Sequence, residues 1–126
     1  MIVEAPISLG ELVDKITILR IKNRNITDPL KLENVQKELV LLSGVLSKAG
    51  APDILLEFQS LENINAELWD IEDKIRVKES KKEFDQEFIE LARSVYITND
   101  KRAKVKKDIS LKVGSDLVEE KSYEQY

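Results

Sequence analysis

Asp28-Pro29-Leu30-Lys31-Leu32-Glu33-Asn34-Val35-Gln36-Lys37-Glu38-Leu39-Val40-Leu41-Leu42-Ser43-Gly44-Val45-Leu46-Ser47-Lys48-Ala49-Gly50 decides the fold class. An aspartate followed by proline is an N-cap with its first helical position filled, and Gly50 with Pro52 beyond it ends the helix. Between them Leu32, Val35, Leu39, Leu42 and Leu46 alternate spacings of three and four, the seam of a bundle or coiled-coil helix. Upstream, Ser8 and Glu11 have capping-box spacing and Ile7 can staple onto Leu12, so a helix opens at Ser8 and buries Leu9, Leu12, Ile16, Leu19 and Ile26. Downstream, a third helix begins near Asp53 with Phe58, Leu61, Ile64, Leu68, Ile71 and Ile75 inward. A polar turn follows over Glu79–Glu83, and a fourth helix caps at Asp85 with Phe88, Leu91, Val95, Val105 and Ile109 on its seam. The expected fold is all-α in a single domain, 1–126: antiparallel hairpins forming a four-helix bundle or coiled-coil-like assembly. Helices are placed near 8–26, 28–49, 53–79 and 85–113, with a C-terminal tail over 114–126.

At 1.5 Å per residue the first two helices span roughly 25 to 30 Å and the last two about 40 Å, so the hairpins do not match. Apolar surface near Ile75, Phe84 and Phe88 overhangs the shorter pair and needs a cover, which predicts a homodimer. The tail is the other candidate cover, because Leu117, Val118 and Tyr123 are too apolar for a simply solvated segment.

Composition narrows the chemistry. The 20 Lys+Arg against 24 Asp+Glu leave a formal charge of −4, which offers no general attraction to a phosphate backbone and makes nucleic acid an unlikely partner. With no Cys and no His, thiol nucleophiles, imidazole bases, disulfides and the usual zinc and haem ligands are all missing. No stretch approaches the roughly 20 apolar residues of a membrane span, and the N-terminus has no basic leader, so the expected location is the cytoplasm, away from the membrane.

Three constellations remain. Glu67, Asp70, Glu72 and Asp73 crowd helix 3, where Glu67 and Asp70 share a face suited to Mg²⁺. Metal sites of that kind need a second acidic pair, for which Glu11 and Asp14 are the sole candidates. The simpler reading makes Asp70–Lys74 and Glu72–Arg76 ion pairs on a wet face, and no cofactor is expected. Helix 4 is interrupted at Thr98-Asn99-Asp100-Lys101-Arg102, with Thr98 and Arg102 on seam positions between Val95 and Val105. Their partners are sought at Asn23, or at Asn65 and Glu72. Such a polar seam either sets register and assembly or lines a ligand pocket. The run Lys101, Arg102, Lys104, Lys106, Lys107 reads as a solvated helix end that suits the helix dipole, and Trp69 as packing against a neighbouring helix or subunit.

The blocks Ile7–Leu19 (ISLGELVDKITIL), Leu68–Arg76 (LWDIEDKIR), Phe88–Ala103 (FIELARSVYITNDKRA) and Gly114–Tyr123 (GSDLVEEKSY) resemble a family of small bacterial and phage-borne helical proteins of unknown function. The resemblance spans nearly the whole chain. It implies an association with sugar-transfer and surface-polysaccharide genes but no activity. Because these blocks concentrate charged and amide groups, it favours the ligand-pocket reading, with Asp14, Lys15, Glu72, Arg76, Asn99, Asp100 and Arg102 from the blocks and Asn23 from the polar seam facing a small anionic ligand. The expected function is that of a helical interaction or small-ligand-binding protein. The alternative is a Mg²⁺-dependent enzyme on phosphorylated or nucleotide-activated substrates.

Overall fold

A computed structural model describes all residues, 1–126, as four helices: α1 (Leu9–Asn25), α2 (Pro29–Lys48), α3 (Leu55–Ser80) and α4 (Gln86–Lys112). There is no strand, and 71 % of the chain is helical. The caps explain the boundaries. Ser8 Oγ accepts from the Glu11 N–H at 3.1 Å, Asp28 from Leu30 at 3.0 Å, and Asp85 from Phe88 at 3.0 Å, so α1, α2 and α4 start within a residue or so of the expected positions. Helix α3 starts later than expected, at Leu55. The Asp53 carboxylate already takes the Leu55 N–H at 3.0 Å in a local turn and holds the chain out of the helix until Ile54 is passed.

The helices do not share burial equally. α1 packs on α2, α3 and α4, whereas α2 packs along α1 alone. The narrow stripe expected for α1 is therefore too narrow: Val13, Thr17 and Ile21 are buried as fully as Leu12, Ile16 and Leu19. The innermost cluster is Val13, Ile54, Leu61 and Ile109, closed by Leu9, Leu46, Phe58, Val105 and Val113. It lies where the start of α1, the start of α3 and the end of α4 meet. Gly10 sets the spacing there, since a Cβ on it would come 2.2 Å from the Lys106 carbonyl oxygen.

The α3–α4 turn is clamped by Lys78, whose ammonium meets Asp85 at 2.9 Å, Glu87 at 3.1 Å and Glu83 at 3.2 Å. The length mismatch is present, with 17 and 20 residues in the first hairpin against 26 and 27 in the second. At the far end Phe84 and Phe88 pack edge to face at 5.2 Å, yet Phe84 stays 56 % exposed. The tail does not cover that end. It folds back along α4 through Lys106–Glu119, Lys107–Glu120 and a Tyr126 hydroxyl donating to Asp100. Ion pairs, that phenol bond and an edge-to-face contact of Tyr126 with Tyr96 at 5.2 Å hold it, and Tyr123, expected to bury, is 74 % exposed.

Candidate functional site

Every fourth residue of α4 from Thr98 is polar and inward: Thr98, Arg102, Lys106, Ser110. On α1 the facing positions are Gly10, Asp14 and Thr17, and on α3 Asn65 sits between Leu61 and Leu68. The three stripes meet at Asp14, whose side chain is 1 % exposed. Arg102 forks onto it, with Nε to Oδ1 at 2.8 Å and Nη2 to Oδ2 at 2.5 Å. Asn65 Nδ2 donates to Asp14 Oδ1 and to Thr17 Oγ1, each at 2.9 Å, and the Thr17 hydroxyl donates to the Asp14 carbonyl at 2.8 Å. Lys106 lies 3.8 Å from Asp14 and bridges Glu11 and the tail's Glu119 at 2.8 Å each. Two cations thus meet three carboxylates, with the amide and hydroxyl groups absorbing the remaining lone pairs.

Burial alone would raise the Asp14 pKa. The bonds from Arg102 and Asn65 and the charges of Arg102 and Lys106 outweigh it and hold the carboxyl below its ordinary 3.8. The Asp14 contribution to stability is therefore fully present above the ordinary carboxylate range and is lost as pH falls through the depressed value. Lys106 mirrors this: burial pulls its ammonium down, and Glu11, Glu119 and Asp14 together lift it above its ordinary 10.5. Its contribution is intact below that value and is lost as pH climbs through the raised one. We expect urea midpoints to fall on the acid side more steeply in the wild type than in Asp14→Asn. Parallel acid limbs would show that Asp14 is not held ionised.

Above the knot opens a cleft of about 470 Å³ between α1, α3 and α4. Its floor is Asn65 and Arg102, its apolar wall Ile18, Ile21, Leu68 and Trp69, and its rim Glu72, Asp73, Arg76 and Asn99. Arg102 Nη1 donates to Asn99 Oδ1 at 3.4 Å, a weak contact that leaves its guanidinium with unspent N–H groups in a residue that lines the cleft. Arg76 pairs with Glu72 at 3.0 Å on an exposed face, where such a pair holds weakly.

Of the residues expected to form one set, Asp14, Arg102, Asn99, Glu72 and Arg76 come together here. Three do not. Lys15 is exposed and reaches Glu11 at 3.8 Å, on the outside of α1. Asn23 is exposed and accepts from Gln36 of α2 at 3.3 Å, so it is not the partner of Arg102. Asp100 turns away to Tyr126 and borders a separate cavity of about 700 Å³ beneath the tail. Lys106, grouped above with a solvated run, is 8 % exposed, because it stands four residues after Arg102 on the inward stripe. Asn65, sought as a partner of the α4 seam, completes the knot together with Glu11, Thr17 and Glu119; none of the four belonged to the expected ligand set. The spacing Thr98-Arg102-Lys106-Ser110 and the seam position of Asn65 were the available signals. Glu72–Arg76 forms as an ion pair, Asp70 has no cation within ion-pair distance, and no three acidic groups converge as a metal site. Trp69 lines the cleft between α1, α3 and α4.

Fold and site together define a small all-α bundle built around a buried carboxylate–guanidinium knot that floors an open cleft. The chain belongs to the Family of unknown function (DUF6165), whose model matches residues 1–126. No curated protein and no solved structure matches it. No helix is long and apolar enough to cross a membrane.

Proposed function

We propose that this protein binds a small anionic molecule in the cleft between α1, α3 and α4, as a cytoplasmic homodimer serving sugar or surface-polysaccharide metabolism. The observation that carries the binding role is the guanidinium of Arg102, fixed from below by Asp14 and facing a formed cleft beside Asn99 and Trp69. A polar seam that only set register would need no cavity above it. Preorganisation lowers the ordering cost of binding, and Arg76 supplies a second, exposed donor at the rim. The Mg²⁺-dependent alternative finds less support, because Glu11 and Asp14, the one second acidic pair, are held by Lys106 and Arg102.

Trp69 is the sole tryptophan and lines the cleft, so its fluorescence reports occupancy directly. Titration with inorganic phosphate and then with hexose phosphates is expected to change that fluorescence saturably and to raise the melting temperature. A ligand at a hundred times its Kd stabilises by about 2.7 kcal/mol. Arg76→Ala is expected to weaken the response about tenfold while leaving the fold intact, since its side chain is exposed. A melting temperature and Trp69 signal both indifferent to millimolar anions would overturn the reading.

A further inference from the structure

α2 is the least buried helix of the four: of its 20 residues only Val35 is buried, because α1 is the one helix it packs along and only Leu46 at its end joins the core cluster. Leu32, Val35, Leu39 and Leu42 make that inner face. The directly opposite stripe is Leu30, Glu33, Lys37 and Val40, at the same spacings of three, four and three. Its two ends are the most exposed aliphatic side chains of the helix, Leu30 at 75 % and Val40 at 74 %. Its two middle residues are of opposite charge. On each of the other helices an i,i+4 ion pair forms, Glu11–Lys15, Glu72–Arg76 and Lys104–Asp108. Glu33 and Lys37 have that same spacing in the favourable order, yet they make no pair, and neither do Lys31, Glu38 and Lys48.

We infer that the outer face of α2 docks onto the same face of a second copy, the two helices running antiparallel about a two-fold axis level with Val35. In that register Leu30 meets Val40 of the partner subunit and Glu33 meets Lys37 of the partner subunit, and by symmetry each contact occurs twice. Under that two-fold operation the stripe is complementary to itself in charge, with an exposed aliphatic at each end of the contact. Leu41, 48 % exposed, flanks the stripe and widens the apolar strip toward the end of α2. α2 contributes no residue to the anion cleft, so the association leaves both clefts open. The mismatched end at Phe84 and Phe88 offers apolar surface but no such charge pattern. A single helix pair lies at the small end of specific interfaces, so the dissociation constant is expected to be on the order of micromolar.

This inference rests on the homodimeric part of the proposed function and locates its surface. The test is light scattering and sedimentation of the full chain from low to high micromolar concentration, on the wild type and five variants. Glu33→Lys and Lys37→Glu each place two like-charge contacts across the axis and are expected to weaken the dimer about tenfold, more so at low salt. The swap Glu33→Lys with Lys37→Glu restores both opposite-charge contacts and is expected to return the dissociation constant to within about threefold of wild type. Leu30→Glu is expected to abolish association at these concentrations, and Phe84→Ser to leave it unchanged. All four substituted sites are exposed, and circular dichroism checks that each variant keeps its helix content. A wild type that stays monomeric overturns the dimeric reading and this inference together. A dimer that ignores the single charge reversals and Leu30→Glu, or that dissolves with Phe84→Ser, overturns the α2 surface while leaving the dimeric reading standing.

Discussion

Asp14→Asn is expected to cost about 2–3 kcal/mol of stability, read as a lower urea midpoint at unchanged m. The amide nearly matches the carboxylate in shape, so the loss comes from charge: Arg102 keeps its guanidinium, half-buried, with no anion to accept its fork. Cases in which a wholly buried ion is orphaned cost 3–5 kcal/mol. Here the Arg102 side chain is 28 % exposed and recovers some hydration, which sets the lower figure. The companion variant separates stability from function. Asp14→Leu combined with Arg102→Met removes both charges and fills the seam with aliphatics, leaving Asn65 its Thr17 acceptor and Lys106 its two glutamates. It is expected to regain most of the lost stability, as apolar replacement of buried pairs often does. It is also expected to lose the anion response of Trp69. Recovered stability with an undiminished response would place the ligand away from Arg102. An Asp14→Asn variant within about 0.5 kcal/mol of wild type would show that the fork contributes nothing net.

The helices were legible because their signals are local. Ser8, Asp28 and Asp85 each stand immediately before an apolar run, and each caps its helix. Asp53 misled because a capping side chain also forms a turn one step too early, and only the backbone at Ile54 decides between them. The mutual arrangement was not local and was read less well. A three-four stripe says that a helix has an inner face, but not that α1 has partners on three sides while α2 has one. Arg102 could be singled out because it interrupts an aliphatic seam. Lys106 could not be by composition, since Lys101, Lys104 and Lys107 beside it make a run that resembles every solvated helix end. The inward line through Thr98, Arg102, Lys106 and Ser110 is visible only when the stripe is followed at intervals of four. The pairing of Asp14 with Arg102 joins residues 88 apart, and their charges match many others in a chain that is 35 % charged. Packing selects it: the two meet where Gly10 lets α1 approach α4.

Gly10→Ala is accordingly expected to destabilise by about 2–3 kcal/mol, although the same change inside an unconstrained helix stabilises by about 1 kcal/mol. The added Cβ would sit 2.2 Å from the Lys106 carbonyl oxygen, 2.9 Å from its carbon and 2.8 Å from Ser110 Oγ. Two of these atoms are backbone of a helix interior and cannot turn aside, so α1 and α4 must separate. Separation stretches the 3.2 Å bond from the Gly10 N–H to Ser110 Oγ and loosens Val13 against Ile109, both 0 % exposed. It also draws Lys106 off Glu11 and Asp14, so the acid limb of the stability profile should flatten together with the loss of midpoint. Gly44→Ala is the control. It lies in α2 with nothing within 4 Å of a Cβ and is expected to gain about 0.5–1 kcal/mol. Opposite signs for one chemical change at two helical glycines would tie the loss at Gly10 to the α1–α4 contact. A gain at both would mean that the two helices lie farther apart than the knot around Asp14 requires.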